Sequence, residues 1–114
     1  MIKKKDEMKR RVRENLRGGN GGIGFTDAFS QEEMLDKCSL CAVLDLEPGM
    51  SIGLHAHGPD AEIYFMLEGE LTAVDNGIKK TIRPGDAVFT GGGTSHSVSN
   101  DSDKTAKMLA VVVR

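Results

Sequence analysis

Turn signals recur so closely along this chain of 114 residues that they leave room only for short extended segments between them. Glu47-Pro48-Gly49, Gly58-Pro59-Asp60, Asn76-Gly77, Arg83-Pro84-Gly85-Asp86, Gly91-Gly92-Gly93 and Asp101-Ser102-Asp103 set glycine, proline or aspartate where a backbone reverses. The runs between them favour β structure. They predict strands over 38–46, 51–57, 62–68, 70–75, 78–82, 87–90, 96–100 and 106–113. Asn76-Gly77 is the strongest hairpin signal, because both residues tolerate the positive φ of a tight two-residue turn. Many short strands of this kind predict an all-β sandwich or barrel. The length suits one domain with one core, and no internal repeat is visible.

Within that framework the histidines are the most informative residues. The chain has only three. His55 and His57 are two apart on a predicted strand, so both imidazoles leave from one face. The Gly58-Pro59-Asp60 turn follows, and Glu62 opens the next strand. If the turn folds these strands together, two imidazoles and a carboxylate converge. His96 lies behind the triple glycine, where a further strand can return it to the same place. A single histidine on a strand is more often structural than a ligand. Here every histidine falls at one of these spacings, which points to a divalent transition metal.

At these residues the chain resembles the cupin superfamily, whose motifs are G-x5-H-x-H-x3,4-E-x6-G and G-x5-P-x-G-x2-H-x3-N. Gly49, His55, His57, Glu62 and Gly69 match the first, and Gly85, Gly93, His96 and Asn100 match the second. Gly91 stands where the family usually has proline, which should loosen the turn before His96. The motifs cover Gly49–Asn100, with residues 70–84 between them. The resemblance implies a double-stranded β-helix, or jelly roll, forming a single cupin barrel over 25–114. It also implies metal ligation by His55, His57, Glu62 and His96. Manganese, iron, nickel, zinc and copper all remain open, since such a ligand set does not select among them.

Period two along the second ligand-bearing strand puts Tyr64 and Met66 on the same face as Glu62. Both are expected to line the pocket, together with Asn100, which by resemblance fixes backbone near the metal. Tyr64 is the one candidate catalytic group, as a hydrogen-bonding partner or weak acid; a strand aromatic at the rim is its structural alternative. Ile63, Phe65 and Leu67 point the other way, toward core or interface. Asp60 and Glu68 are expected to be exposed turn residues.

Four protein ligands on an octahedral ion leave two positions for a small chelating oxygen ligand. One functional reading is therefore a small metal-dependent enzyme acting on a carboxylate, sugar or enediol, as an isomerase, decarboxylase or dioxygenase. The alternative is a non-catalytic cupin that binds or senses a sugar or anion. With all three histidines committed to metal, none remains as a general base, which favours binding. A metal-free structural barrel is the least favoured reading.

Residues 1–24 read as a basic arm and a glycine-rich hinge. Eight Lys or Arg against three acids give residues 1–17 a net charge of +5, so the remainder carries −7. Met8, Val12 and Leu16 recur at fours, consistent with a short amphipathic helix. The arm is expected to dock on an acidic barrel, its own or a partner's. It lacks the interleaved aromatics of a nucleic-acid binder, and its apolar stripe is thin for a membrane. Gly19, Gly21 and Gly24 form G-x-G-x-x-G, but a charged segment precedes it and Phe25-Thr26-Asp27 follows where the motif needs a strand and a helix of a βαβ unit, so a dinucleotide loop is not expected. Ser30 to Glu33 is a capping box opening a helical turn toward Lys37. Cys38 and Cys41 lie at i and i+3 on a strand, facing opposite sides, and are expected to be reduced and buried. No apolar run spans a bilayer and no secretory signal is visible, so a cytoplasmic homodimer with a small-molecule ligand is the expectation.

Overall fold

The computed structural model describes all residues from Met1 to Arg114. Ten strands form two antiparallel sheets: β1 (Lys9–Glu14), β2 (Gly22–Asp27), β3 (Cys38–Leu46), β4 (Ser51–His57), β5 (Ala61–Glu68), β6 (Leu71–Asp75), β7 (Ile78–Ile82), β8 (Ala87–Gly91), β9 (Thr94–Ser99) and β10 (Ala106–Val113). One sheet has the order β1-β2-β3-β10-β5-β8, the other β4-β9-β6-β7. This is the all-β architecture that the turn pattern predicts and the jelly-roll barrel that the cupin resemblance implies. No helix is long and apolar enough to cross a membrane.

The core lies between the sheets and follows from period-two alternation. Along β10, Ala106, Met108, Ala110 and Val112 point inward; along β3, Leu44 and Leu46 do so, joined by Ile23 from the neighbouring β2 and by Ile52, Leu71 and Val98 from the opposite sheet. On β5 the inward residues are Glu62, Tyr64 and Met66, whereas Ile63, Phe65 and Leu67 are about two-fifths exposed on the outer face. These three are therefore not core. Between β6 and β7, Asn76 and Gly77 take φ values of 49° and 81°, the two-residue hairpin expected of that pair.

The N-terminal region departs from the sequence reading. Val12 lies in an extended strand, not a helix, and β1 pairs antiparallel with β2 from Lys9↔Asp27 to Glu14↔Gly22. The four-residue apolar spacing gave the wrong period because strand pairing satisfies the backbone here. Arg10 to Asp45 (2.8 Å) and Arg11 to Asp27 (2.7 Å) hold this basic strand on the chain's own acidic barrel. Of the glycine-rich stretch, Gly22 and Gly24 belong to β2, and residues 15–21 form the connecting turn.

The capping box forms as predicted, with Ser30 Oγ accepting from Glu33 N (3.1 Å) and Glu33 Oε1 from Ser30 N (2.8 Å). It opens only a turn, because Leu35 and Asp36 adopt positive φ. Cys38 and Cys41 are free thiols and half-buried, less buried than expected.

Candidate metal centre

β4 would not present its histidines inward if it alternated without interruption. Ile52 pairs with Val98, and His55 pairs with His96, so β4 spends three residues where β9 spends two. This bulge at Gly53-Leu54 shifts the phase of the strand. Ile52 faces the core, Leu54 turns out to solvent, and His55 and His57 both turn inward. His96 arrives from β9 as the direct cross-strand neighbour of His55. Glu62 comes from β5 in the opposite sheet, so the site ties the two sheets together.

The four ligand atoms lie within 4.8 Å of one another. His96 Nε2 is 2.9 Å from His55 Nε2 and 3.0 Å from Glu62 Oε1; His57 Nε2 is 3.1 Å from the same oxygen. Metal–donor bonds of about 2.1 Å place adjacent octahedral ligands about 3.0 Å apart. These separations therefore suit a divalent ion at the centre.

Proton placement supports the same conclusion. His55 Nδ1 donates to the Gly53 carbonyl (2.7 Å), and His57 Nδ1 donates to Asp60 Oδ1 (3.0 Å). In the neutral rings, this turns both Nε2 lone pairs toward the centre, where Glu62 Oε1 adds another acceptor. His96 brings at most one N–H to the group, and its buried Nδ1 has no partner. Converging acceptors with too few protons repel one another, and a cation relieves that repulsion. Such outer acceptors are also what orients histidines that ligate metal.

The family model described as "Cupin domain" matches residues 42–112, more than half of the chain and all four of these ligands. The chain belongs to the cupin family. This cupin is 41% identical over 99 residues to the "Oxalate-binding protein" of Thermotoga maritima, covering 87% of this chain and 82% of that protein. Its fold superposes on a structure described as a predicted oxalate decarboxylase from Thermotoga maritima, with TM-score 0.94, 38% identity, and coverage of 99% and 98% of the two chains. It is also similar to a sugar phosphate isomerase of the cupin superfamily from Silicibacter pomeroyi (TM-score 0.76, 24% identity, 96% and 73% covered). At that identity the likeness concerns the fold alone.

Burial of this cupin's Glu62 works to raise its carboxyl pKa. The surrounding imidazoles, His55 at 3.9 Å and His96 at 3.0 Å from Oε1, outweigh that and hold it down to about 2. Tyr64 stacks flat on His96 (centroids 4.8 Å, planes 4° apart), and its hydroxyl lies 3.4 Å from His96 Nε2. Burial first, then the Glu62 charge, push the Tyr64 hydroxyl well above its ordinary range, against the opposing field of Arg17.

A cavity of about 520 Å³ opens on His55, His57, Glu62 and Tyr64, with Leu44, Ile52 and Val112 as apolar wall. Met66 and Asn100, expected at the pocket, do not line it. Met66 is packed into the core. Asn100 is fully buried, donating to the Leu46 and Lys104 carbonyls (both 2.8 Å) and accepting from Ser102 N (3.0 Å). It pins the loop after β9 rather than facing the site.

The turn before His96 is not loose either. Thr94 Oγ1 donates to the Gly91 carbonyl (2.8 Å), and Gly93 N donates to the His57 carbonyl (2.8 Å). A Cβ at Gly91 would stand 2.9 Å from the Ala61 Cβ, so the family's usual proline does not fit this β5–β8 pairing.

Two contributions escape the sequence reading. Asp60, expected as an exposed turn residue, orients His57; its position three after His57 in a Gly-Pro-Asp turn was the available signal. The second is the N-terminal segment: Arg11, Arg13, Glu14 and Arg17 also line the cavity. The turn carrying Arg17 is clasped onto β4. Asn20 N donates to Ser51 Oγ (2.9 Å), Ser51 N to the Asn20 carbonyl (2.9 Å), and Asn20 Nδ2 to the Gly49 carbonyl (3.0 Å). Gly19 and Gly53 permit this approach, since a Cβ on either would overlap a backbone carbonyl of the other segment.

Proposed function

We propose that this cupin binds a small dicarboxylate of the oxalate class at a divalent transition metal held by His55, His57, Glu62 and His96. The charge of the cavity carries the reading. Arg11 is neutralised by Asp27, which leaves Arg13 and Arg17 facing three carboxylates (Glu14, Asp60 and Glu62) around the wall. A divalent ion turns that one-charge negative excess into a one-charge positive excess, and the two unpaired arginines offer further points of attachment for a compact anion with a carboxylate at each end. The apolar wall lowers the local dielectric, so that charge match counts for more than it would in water. The name of the Thermotoga relative supports the same ligand class.

When bound, the ion supplies a Lewis acid and a template for a chelating ligand. The chain's own groups set the rest. Gly53 and Asp60 keep the ring protons of His55 and His57 on Nδ1, away from the ligand. Glu62, ionised far below neutrality, keeps its negative charge in the centre.

A second reading is turnover of the same ligand by decarboxylation, favoured by the state of Tyr64. Breaking the C–C bond of oxalate releases carbon dioxide, and the remaining carbon takes up one proton to become formate. The Tyr64 hydroxyl, held protonated at neutral pH, is a proton source beside the ligands.

Calorimetric titration of metal-loaded protein with oxalate, combined with a formate assay, tests both. Saturable binding that a chelator abolishes is the expected result; formate accumulation adds the second reading. Metal-replete protein that binds no oxalate refutes the proposal. We further propose that the chain forms a homodimer through the outer face of its six-stranded sheet.

A further inference from the structure

We propose that Arg17 and Arg13, carried by the N-terminal strand and its turn, are the specificity-determining groups that hold the part of a dianion turned away from the metal ligands. This inference rests on the dicarboxylate reading above. The three arginines of the cavity wall are not equivalent. Arg11 is already engaged: its guanidinium bonds Asp27 in two-point fashion (2.7 and 3.0 Å) and lies 4.4 Å from the Phe25 ring centre. Arg13 and Arg17 meet no carboxylate within ion-pair distance.

Register explains how β1 reaches the cavity. Arg11 and Arg13 stand opposite Phe25 and Ile23, whose side chains point into the barrel. Cross-strand partners share a face, so both arginines lie on the inward side of the sheet. Arg10, one residue out of phase, pairs instead with Asp45.

Arg17 arrives by a different device. Its backbone has φ 55° and ψ 31°, a left-handed conformation that is unfavourable for a residue with a side chain. The surrounding turn over-determines it. Asn15 Nδ2 donates to the Gly19 carbonyl (3.2 Å), Gly18 N to the Asn15 carbonyl (3.0 Å), and the clasp on Ser51 fixes the whole turn to β4. Strain held in this way clusters at ligand-binding positions. Planar guanidinium forks match carboxylate edges.

The test compares oxalate with glycolate, a chelating monoanion, by calorimetry on metal-loaded wild type, Arg17→Met, Arg13→Met and Arg17→Lys. Both positions are exposed, so the variants keep the fold, and elemental analysis checks that they keep their metal. Oxalate affinity should fall ten- to a hundredfold in each methionine variant, with glycolate affinity changing less than threefold. Arg17→Lys should recover part of the loss. Variants that bind oxalate as wild type does, or that lose both ligands equally, overturn the arginine assignment and leave the dicarboxylate reading standing. A metal-loaded wild type that binds neither ligand overturns that reading, and this inference with it.

Discussion

Gly19→Ala should be far more damaging than Gly18→Ala, although the two glycines are adjacent and sit in the same turn. A Cβ at Gly19 would overlap the Ser51 carbonyl oxygen and lie 2.7 Å from its carbon and 2.9 Å from Gly53 N. Carbon–carbon contacts are comfortable at about 3.5–4.0 Å. All three neighbours are backbone, so no flexible side chain can yield, and the clasp must open or stay overpacked. Opening releases the two hydrogen bonds between Asn20 and Ser51 and the one to Gly49. Opening the clasp costs about 3 kcal/mol, at about 1 kcal/mol net for each bond, and keeping it closed costs the overpacking, typically about 1–3 kcal/mol; the chain takes the cheaper course, so the expected loss is about 2–3 kcal/mol. An unfolding entropy of about 2.1 cal/mol/K per residue converts this to a fall in Tm of about 8–13 °C. Gly18, by contrast, has φ +80° and no atom within 4 Å of a new Cβ. Its alanine variant pays only for left-handed backbone, about 1 kcal/mol, or about 4 °C. Thermal melts of both variants by circular dichroism decide the matter. Metal content should be unchanged in Gly19→Ala, because the ligands sit on β4, β5 and β9, while oxalate affinity should fall as Arg17 is displaced. If Gly19→Ala melts no lower than Gly18→Ala, the clasp has been misjudged.

The metal centre yields three shorter predictions. His55→Ala or His96→Ala should lose most of its metal while the barrel still folds; equal metal in wild type and both variants, by elemental analysis, would reject the ligand set. Asp60→Ala should weaken metal affinity about 10–100-fold by freeing the His57 ring, as removal of an orienting carboxylate typically does, and a chelator competition would detect it. In the metal-free protein, the Glu62 carboxyl at about 2 against an ordinary 4.5 means that the fold favours the ionised form. That contribution, about 3 kcal/mol, is complete above pH 4.5 and is lost as pH falls from 4.5 through 2. Urea unfolding at pH 5 and pH 3 should therefore show a smaller loss for Glu62→Gln than for wild type; equal losses would contradict the assignment.

The barrel was legible because turn chemistry and β-forming runs agree along most of the chain, from Cys38–Leu46 through to Ala106–Val113. The candidate ligands were legible because the two cupin motifs mark them, and the fold brings His55, His57, Glu62 and His96 within 4.8 Å of one another. What escaped was non-local. The Gly53-Leu54 bulge is invisible in a run that alternates acceptably without it, yet it brings His55 and His57 inward together with Ile52. β1 was obscured by a spacing of four that mimics a helix. Gly18–Gly24 looked like a hinge because composition shows only that side chains are absent. The reason for the absence at Gly19 is a partner strand more than 30 residues away. Asn100 and Met66 failed as pocket residues for opposite reasons: one turns to backbone carbonyls, and the other sits too far along β5.

The outer face of the six-stranded sheet supplies the remaining prediction. Ile63 and Phe89 are direct partners across β5 and β8, and Ile63 and Phe65 stand opposite Val111 and Leu109 on β10. Phe89 is 65% exposed and Phe65 41%. A contiguous apolar face of this kind marks an association surface. The two edges of the sheet differ in kind. β1 carries Lys9, Arg10, Arg11 and Arg13, charges that discourage edge pairing, whereas β8 (Ala87–Gly91) carries none. Association should therefore use the β5–β8 side, leaving β1 and its arginines free at the cavity. Light scattering at micromolar concentration should give a particle of twice 12.3 kDa, and Phe65→Lys should halve it without unfolding the barrel, because the side chain points outward. A wild type that scatters as a 12.3 kDa particle would show that this face is covered by nothing of its own kind.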